Sequence, residues 1–205
     1  MEATARSLDI EKEALLLEGF VDLGDPEVGE HVWNFEQDEF PFYTEAGLHL
    51  LQKHILGNPG VRPIVEWFFG GNRCILVHCL RYGALPGKIE CFLTGGREAG
   101  QRVLMVYLLS RGSRVNFYAY SHLQAFPTTK GRRSTHELPP PVLQKAGCEV
   151  REKNFHAGGS VIVDARLGRE ICAGYTITVV FMTEELAAGL RTNRSFPPGR
   201  APRFP

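Results

Sequence analysis

Residues 158–181, GGSVIVDARLGREICAGYTITVVF, decide the fold class of this chain. Two runs rich in β-branched and aromatic residues, 160–165 and 175–182, flank a shorter one at 171–172, and Gly158-Gly159 and Ala173-Gly174 punctuate them as turns. No crossover of the ~10 or more residues that a parallel connection needs fits between these runs, so they read as antiparallel strands. The same texture extends back toward Val61, with strands expected at 64–69, 73–81, 88–93, 102–110, 114–121 and 149–155. So many short strands without crossover helices predict a mainly β domain, a jelly roll or double-stranded β-helix whose facing sheets enclose a pocket.

Ahead of the strands the sequence is helical. A short helix is expected over 8–17 and a second over 44–56, where Thr44 supplies an N-cap and Gly57-Asn58-Pro59-Gly60 a stop. The residues between them, rich in acids and glycine, read as a linker. The organisation predicted is one domain: an N-terminal helical region, 1–60, packed on the outside of a jelly-roll core, 61–190, followed by a disordered basic tail, 191–205. One long connection, 123–147, carries Lys130, Arg132 and Arg133, three prolines at 139–141 and a helical turn over 142–146. A lid or rim insertion and a mobile surface loop are the two readings of such a length.

Charge and composition remove several function classes. Basic and acidic residues balance at 23 each, and the four arginines of the last fifteen residues stand without an acid. No basic face interleaved with aromatics is present, which argues against nucleic acid as a partner. The N-terminus lacks the basic start and apolar run of a secretory leader, and no apolar run approaches the ~20 residues that span a bilayer. A cytoplasmic protein with no membrane partner is expected. Five cysteines without a CxxC pair read as reduced core thiols. The sequence sets no oligomeric state.

Two segments carry a family resemblance. VLMVYLLSRGSRVNFYAYSH, residues 103–122, resembles the strand, turn and strand that end in a Pro-Gly-Ser-His signature in the phytanoyl-CoA dioxygenase-like branch of the iron and 2-oxoglutarate oxygenases, with Ser121-His122 in place. The 158–181 stretch resembles that family's Gly-Asp strand, distal ligand turn and final strand. The resemblance implies a double-stranded β-helix and, in an active oxygenase, two imidazoles and a carboxylate on one face of iron. Here the proximal motif is best matched by His78-Cys79-Leu80, with leucine in place of the acid. Gly168 and Arg169 stand where the distal histidine is expected, and Tyr175 or Thr176 where a basic residue would grip the cosubstrate. No metal and no cofactor are therefore expected. A rearranged iron site would have to draw on His122, His136, His156, Asp164 and Glu90.

The pocket itself is expected to persist. His78 pointing inward places Cys74, Leu76 and Leu80 on the same face by the period of two. Further inward candidates are Glu90, Met105, Tyr107, Tyr118 and Tyr120, while Asp164 and Arg166 share one face of their strand. His78 and Asp164 are the candidate catalytic groups, and Glu90, Tyr107, Tyr118, Tyr120 and Arg166 the candidate substrate-binding ones. Exposed strand aromatics and a structural Asp–Arg pair are the plain alternatives. Apolar walls with hydroxyls and a carboxylate suit a small organic metabolite. These residues and the resemblance together point to a small-metabolite-binding protein, with a non-redox cyclase or isomerase of specialised metabolism on an oxygenase scaffold as its catalytic form. The alternatives are an iron(II)/2-oxoglutarate oxygenase with rearranged ligands and a non-catalytic interaction module.

Overall fold

The computed structural model describes residues 2–192. The helices that precede the barrel are α1 (Glu2–Leu17), α2 (Glu27–Gln37), α3 (Glu45–Leu51), which continues through a π-helical turn at Gln52–Leu56, and α4 (Val61–Phe68). Between α1 and α2 a short strand, β1 (Phe20–Asp22), joins the barrel. The strands that follow are β2 (Cys74–Gly83), β3 (Glu90–Cys91), β4 (Val103–Leu109), β5 (Ser113–Ala119), β6 (Thr129–Lys130), β7 (His136–Glu137), β8 (Glu149–Phe155), β9 (Gly159–Asp164), β10 (Gly168–Ala173) and β11 (Tyr175–Thr183). Helix α5 (Pro140–Lys145) interrupts them and α6 (Glu184–Thr192) follows them. One sheet has the order β1-β9-β4-β11-β2 and the other β6-β7-β3-β10-β5-β8, with every pairing antiparallel. This is the expected double-stranded β-helix.

Three apolar layers hold it. Between the sheets, Met105, Tyr107, Val161, Val163 and Val180 meet Val115, Phe117 and Phe155. On the outer face of the first sheet, Leu104, Val106, Leu108, Ile162, Ile177 and Val179 pack against Leu15, Val28, Val32, Phe35, Ile55 and Ile64 of the helical layer. Burial of each such side chain contributes roughly 1.5–3 kcal/mol. The outer face of the second sheet is covered by the 123–147 connection, through Ile89, Cys91, Leu138 and Leu143.

The helical layer differs from its sequence reading in three places, for one reason each. Residues 64–69, expected as a strand, belong to α4, because Val61, Ile64, Val65 and Phe68 are buried at spacings of three and four and form a helical stripe. The supposed linker contains α2, whose Val28, Val32 and Phe35 make the same stripe among acids. Phe20–Asp22 lies on the sheet rather than outside it, since Phe20 stacks on Phe117 at 4.4 Å between ring centroids. Helix α2 approaches the β8–β9 turn backbone to backbone: a Cβ on Gly29 would collide with the Ala157 carbonyl, and Gly158 adopts φ +85°. The tail expected to be disordered lies outside the described residues apart from Arg191 and Thr192, which close α6.

The π-helical turn delivers His54 into the interface between layers. Its Nε2 is 3.0 Å from Nδ1 of His31, its Nδ1 is 3.9 Å from Asp25, and Lys53 Nζ is 3.3 Å from the far nitrogen of His31. Burial first, then His31 and Lys53, push the His54 imidazole down to about 4, against the opposing pull of Asp25 and Glu27. The unfolded chain therefore binds a proton that the native state refuses between pH 6.5 and about 4. Stability that is complete above the unfolded value is lost as pH falls through this window, on the order of 2–3 kcal/mol by pH 4.5. Denaturant unfolding at pH 7.5 and 4.5 checks this: His54→Gln is expected to remove that share of the acid loss, and an unchanged loss in the variant would contradict it.

Candidate functional site

Strand register settles which side chains enter the barrel. His78 pairs with Val180, Val180 with Met105 and Met105 with Val163, and the last three belong to the inter-sheet core. His78 is therefore on the inner face. The next inner row is Leu80–Thr178–Tyr107–Val161 and the one after it Tyr82–Thr176–Leu109–Gly159. Cys74 and Leu76, expected beside His78, are on the opposite face. A β-bulge between the pairs Val180–His78 and Phe181–Leu76 leaves Val77 unpaired and reverses the alternation. Cys74, Leu76 and Cys79 accordingly pack on the helical layer.

From the other sheet, Arg169 pairs with both Phe117 and Glu90, which puts Arg169 and Glu90 on the inner face opposite. Arg169 is the largest of the fully buried side chains. Its Nη1 donates to the Glu90 carbonyl at 2.7 Å, and its guanidinium lies 5.7 Å from the Tyr107 ring centroid. The Glu90 carboxylate accepts from Thr135 Oγ1 at 2.6 Å and from Arg132 Nε at 3.0 Å. Both partners come from the β6–β7 hairpin, the tip of the long connection, which is thus fastened over the barrel end. Arg132 also donates to the Gly83 carbonyl and Arg133 to that of Arg81, and the two guanidinium groups lie 5.4 and 5.2 Å from the ring of Tyr82. Arg133 reaches this position from a left-handed backbone, φ 53°, a strained conformation of the kind that clusters at functional sites.

At the centre of this arrangement His78 Nε2 stands 3.4 Å from the Tyr82 hydroxyl, and its ring meets Phe92 edge-on at 5.9 Å. Burial, and secondarily the charge of Arg133, lower the His78 imidazole below its usual range, so it is neutral at pH 7. Burial raises the phenols of Tyr82 and Tyr107, which stay protonated. A neutral imidazole beside a phenolic O–H under fixed cations can remove a proton, return one, and hold negative charge on a substrate oxygen.

The other expected site residues lie elsewhere. Asp164 pairs with Leu104, on the face opposite His78. Its carboxylate is held by Arg166 at 2.8 and 2.6 Å, and Arg166 also donates to the Gly96 carbonyl, a closed fork at the β9–β10 turn. Tyr118 pairs with Gly168 and points to the outer face of its sheet, where its hydroxyl donates to Glu170 at 3.4 Å. Tyr120 follows the end of β5 in a left-handed turn, φ 68°, and shares no inner row. Glu90 and Tyr107 are inside as expected. Tyr82, Arg132, Arg169, Thr176 and Thr178 were missed as site residues. Tyr82 was within reach of the sequence, since it is four residues from His78 on one strand and so on its face. Arg169 was not, because a charged residue between glycine and glutamate reads as a turn.

The fold relatives implied by the resemblance hold iron, and the residues present do not fit it. Among the described residues no three His, Cys, Asp or Glu side chains stand together as a metal would need. Glu90 is engaged by Thr135 and Arg132, and the facing position is a guanidinium, which repels a cation. Of the histidines named for a rearranged site, His122 is buried with Nε2 3.0 Å from the Leu16 carbonyl, His136 lies on β7 and His156 is exposed. Two clefts open outside the barrel, about 330 Å³ beside Trp33, Glu36 and Tyr175 and about 890 Å³ beside Leu48, His49, Leu56 and Leu76. Neither includes His78, Arg132, Arg133 or Arg169, whereas Arg132, Arg169, Thr176 and Thr178 each keep a buried polar atom without a hydrogen-bond partner among the described residues.

The epimerase SnoN, solved with Fe3+, alpha ketoglutarate and nogalamycin RO, is similar at a TM-score of 0.59 and 13% identity over 87% of this chain and 84% of SnoN. EctD from S. alaskensis, solved with 2-oxoglutarate and 5-hydroxyectoine, is similar at 0.56 and 10% identity over 88% of this chain and 76% of EctD. The non-heme monooxygenase ThoJ, in its apo form, is similar at 0.50 and 12% identity over 83% of this chain and 76% of ThoJ. The chain has the fold of these enzymes. No protein-family model and no curated protein sequence matches it.

The Asp164–Arg166 fork yields a stability prediction. Asp164→Asn leaves the nearly buried guanidinium without its counter-charge and is expected to destabilise the fold by about 3–5 kcal/mol in denaturant unfolding. A change below about 1 kcal/mol would show that the fork is dispensable.

Proposed function

We propose that this protein is a redox-neutral isomerase or cyclase that acts on a small metabolite inside a degenerate oxygenase barrel. The observation that carries the reading is the His78–Tyr82 pair on the inner face beneath Arg132 and Arg133. His78 takes a proton from the carbon next to a carbonyl, or from a hydroxyl that adds across a conjugated double bond. The Tyr82 hydroxyl, supported by the arginines, holds the oxygen on which charge develops, and the proton returns at a second position of the same molecule. Formula and oxidation level are unchanged, so no oxidant is required. SnoN, a fold relative, is described as an alpha ketoglutarate dependent epimerase, which supports an isomerised product on this fold but not the metal-free route to it.

The segments at 103–122 and 158–181 favour the phytanoyl-CoA dioxygenase-like branch as the ancestry of this barrel, and specialised metabolism in the cytoplasm is the setting proposed with it. The iron oxygenase reading loses support because a guanidinium faces Glu90 where a ligand would be needed.

The test uses metabolite extracts of the source organism lacking this protein, incubated with purified protein in D2O and followed by mass spectrometry. A compound is expected to disappear in favour of an isomer that carries one deuterium, and His78→Gln is expected to slow this about 100-fold or more. A product enlarged by an oxygen atom would overturn the proposal. Because His78 must be deprotonated to act as base, the rate should rise with pH and level off at an apparent pKa below the usual 6.5. A rate that increases as pH falls through that range would contradict the assignment of His78 as base.

A further inference from the structure

Several buried polar atoms at the barrel end have no hydrogen-bond partner among the described residues: Arg132 Nη2, Arg169 Nε, and the hydroxyls of Thr176 and Thr178. The Tyr107 hydroxyl has only the Met105 sulfur, at 3.9 Å. The residues that carry them adjoin one another. Thr176 pairs with Tyr82 and Thr178 with Tyr107, Arg132 stacks on Tyr82 and Arg169 on Tyr107. Arg169 is 2% exposed, and Tyr107, Thr176 and Thr178 are fully buried.

Orphaned buried donors are costly and native folds contain few of them, so a cluster at one place calls for a partner. The charge specifies which kind. Glu90 already accepts from Thr135 and Arg132, and Glu137, its partner across β3–β7, is held by Lys88, so Arg133 and Arg169 stand beside it without a carboxylate of their own among the ion pairs of the described residues. The four orphaned groups and the Tyr107 hydroxyl can all donate. A ligand that supplies acceptor oxygens and negative charge satisfies them together, and a planar carboxylate matches guanidinium geometry.

We infer that the substrate carries a carboxylate, seated between Arg169 and the hairpin arginine Arg132 and bonded by the Tyr107, Thr176 and Thr178 hydroxyls, with its reacting carbon toward His78. The inference rests on the acid–base reading of the same barrel. These groups come from β10 and the β6–β7 hairpin, not from the start of β11, where the resemblance places the cosubstrate's basic residue and this chain has Tyr175 and Thr176. Since the hairpin covers the site, the ligand enters when Arg132 and Thr135 release Glu90, and binding closes the hairpin again.

Calorimetry with benzoate and glutarate, each against its neutral amide, tests this on the full chain. Both acids are expected to bind more tightly than their amides, with affinity falling as salt rises. Arg169→Gln is expected to lower the affinity for the acids about ten-fold or more. Arg132→Gln, at a half-exposed hairpin position, is expected to do the same and serves as the independent variant should Arg169→Gln not fold. Acids bound no better than amides, or bound equally by the folded arginine variants, would overturn the inference. His78→Gln separates the two readings. Carboxylate binding retained in that variant while turnover is also unaffected removes the acid–base reading alone. Turnover that needs His78 without any preference for carboxylates removes the present inference alone.

Discussion

The buried Glu90 carboxylate is the constraint on which the barrel end depends. A carboxylate withdrawn from water costs several kcal/mol unless it is paired and hydrogen-bonded. Glu90 meets that demand with Thr135 and Arg132, both from a hairpin 45 and 42 residues further along the chain. The same strand position presents its carbonyl to Arg169, so one residue fixes the hairpin on one side and a fully buried guanidinium on the other. With the hairpin in place Arg132 and Arg133 bracket Tyr82, and Tyr82 in turn stands against His78. The His78–Tyr82 pair and its cationic surroundings thus follow from the neutralisation of one charge.

Much of the fold was legible in the sequence, because glycine-punctuated, β-branched runs without crossovers leave few architectures. What the sequence concealed was concealed locally. Residues 64–69 are rich in β-branched and aromatic side chains, yet the three-and-four spacing of Ile64, Val65 and Phe68 outweighs that preference once a helical layer has to be packed. The face of His78 and of Leu80 was read correctly, but that of Cys74 and Leu76 was not. A single bulged residue, Val77, reverses every side chain on one side of it, and no composition signal marks it. Of the two catalytic candidates, Asp164 stands on the far face because an Asp and an Arg two residues apart satisfied each other at a turn. Tyr118 was lost to the same parity, since its strand sends Phe117 inward and Tyr118 out. The long connection read as a lid or a loose loop is fastened by contacts too distant in sequence to be read from spacing.

The chemistry of the barrel follows from what replaces the metal set of its fold relatives. A metal site gathers ligands around a cation. Here the facing positions on β3 and β10 carry a carboxylate already held by an arginine and a guanidinium, an arrangement suited to an anion. Burial keeps the half-buried His78 imidazole neutral and the Tyr82 phenol protonated at pH 7. Proton transfer needs no more than these groups and a substrate held in register with them.

An anaerobic calorimetric titration of chelator-treated protein with Fe(II), with and without 2-oxoglutarate, decides whether the barrel has given up iron. No stoichiometric Fe(II) binding is expected in either condition. One equivalent of Fe(II) bound, lost in His78→Ala and tightened by 2-oxoglutarate, would contradict this expectation and return the barrel to the oxygenases.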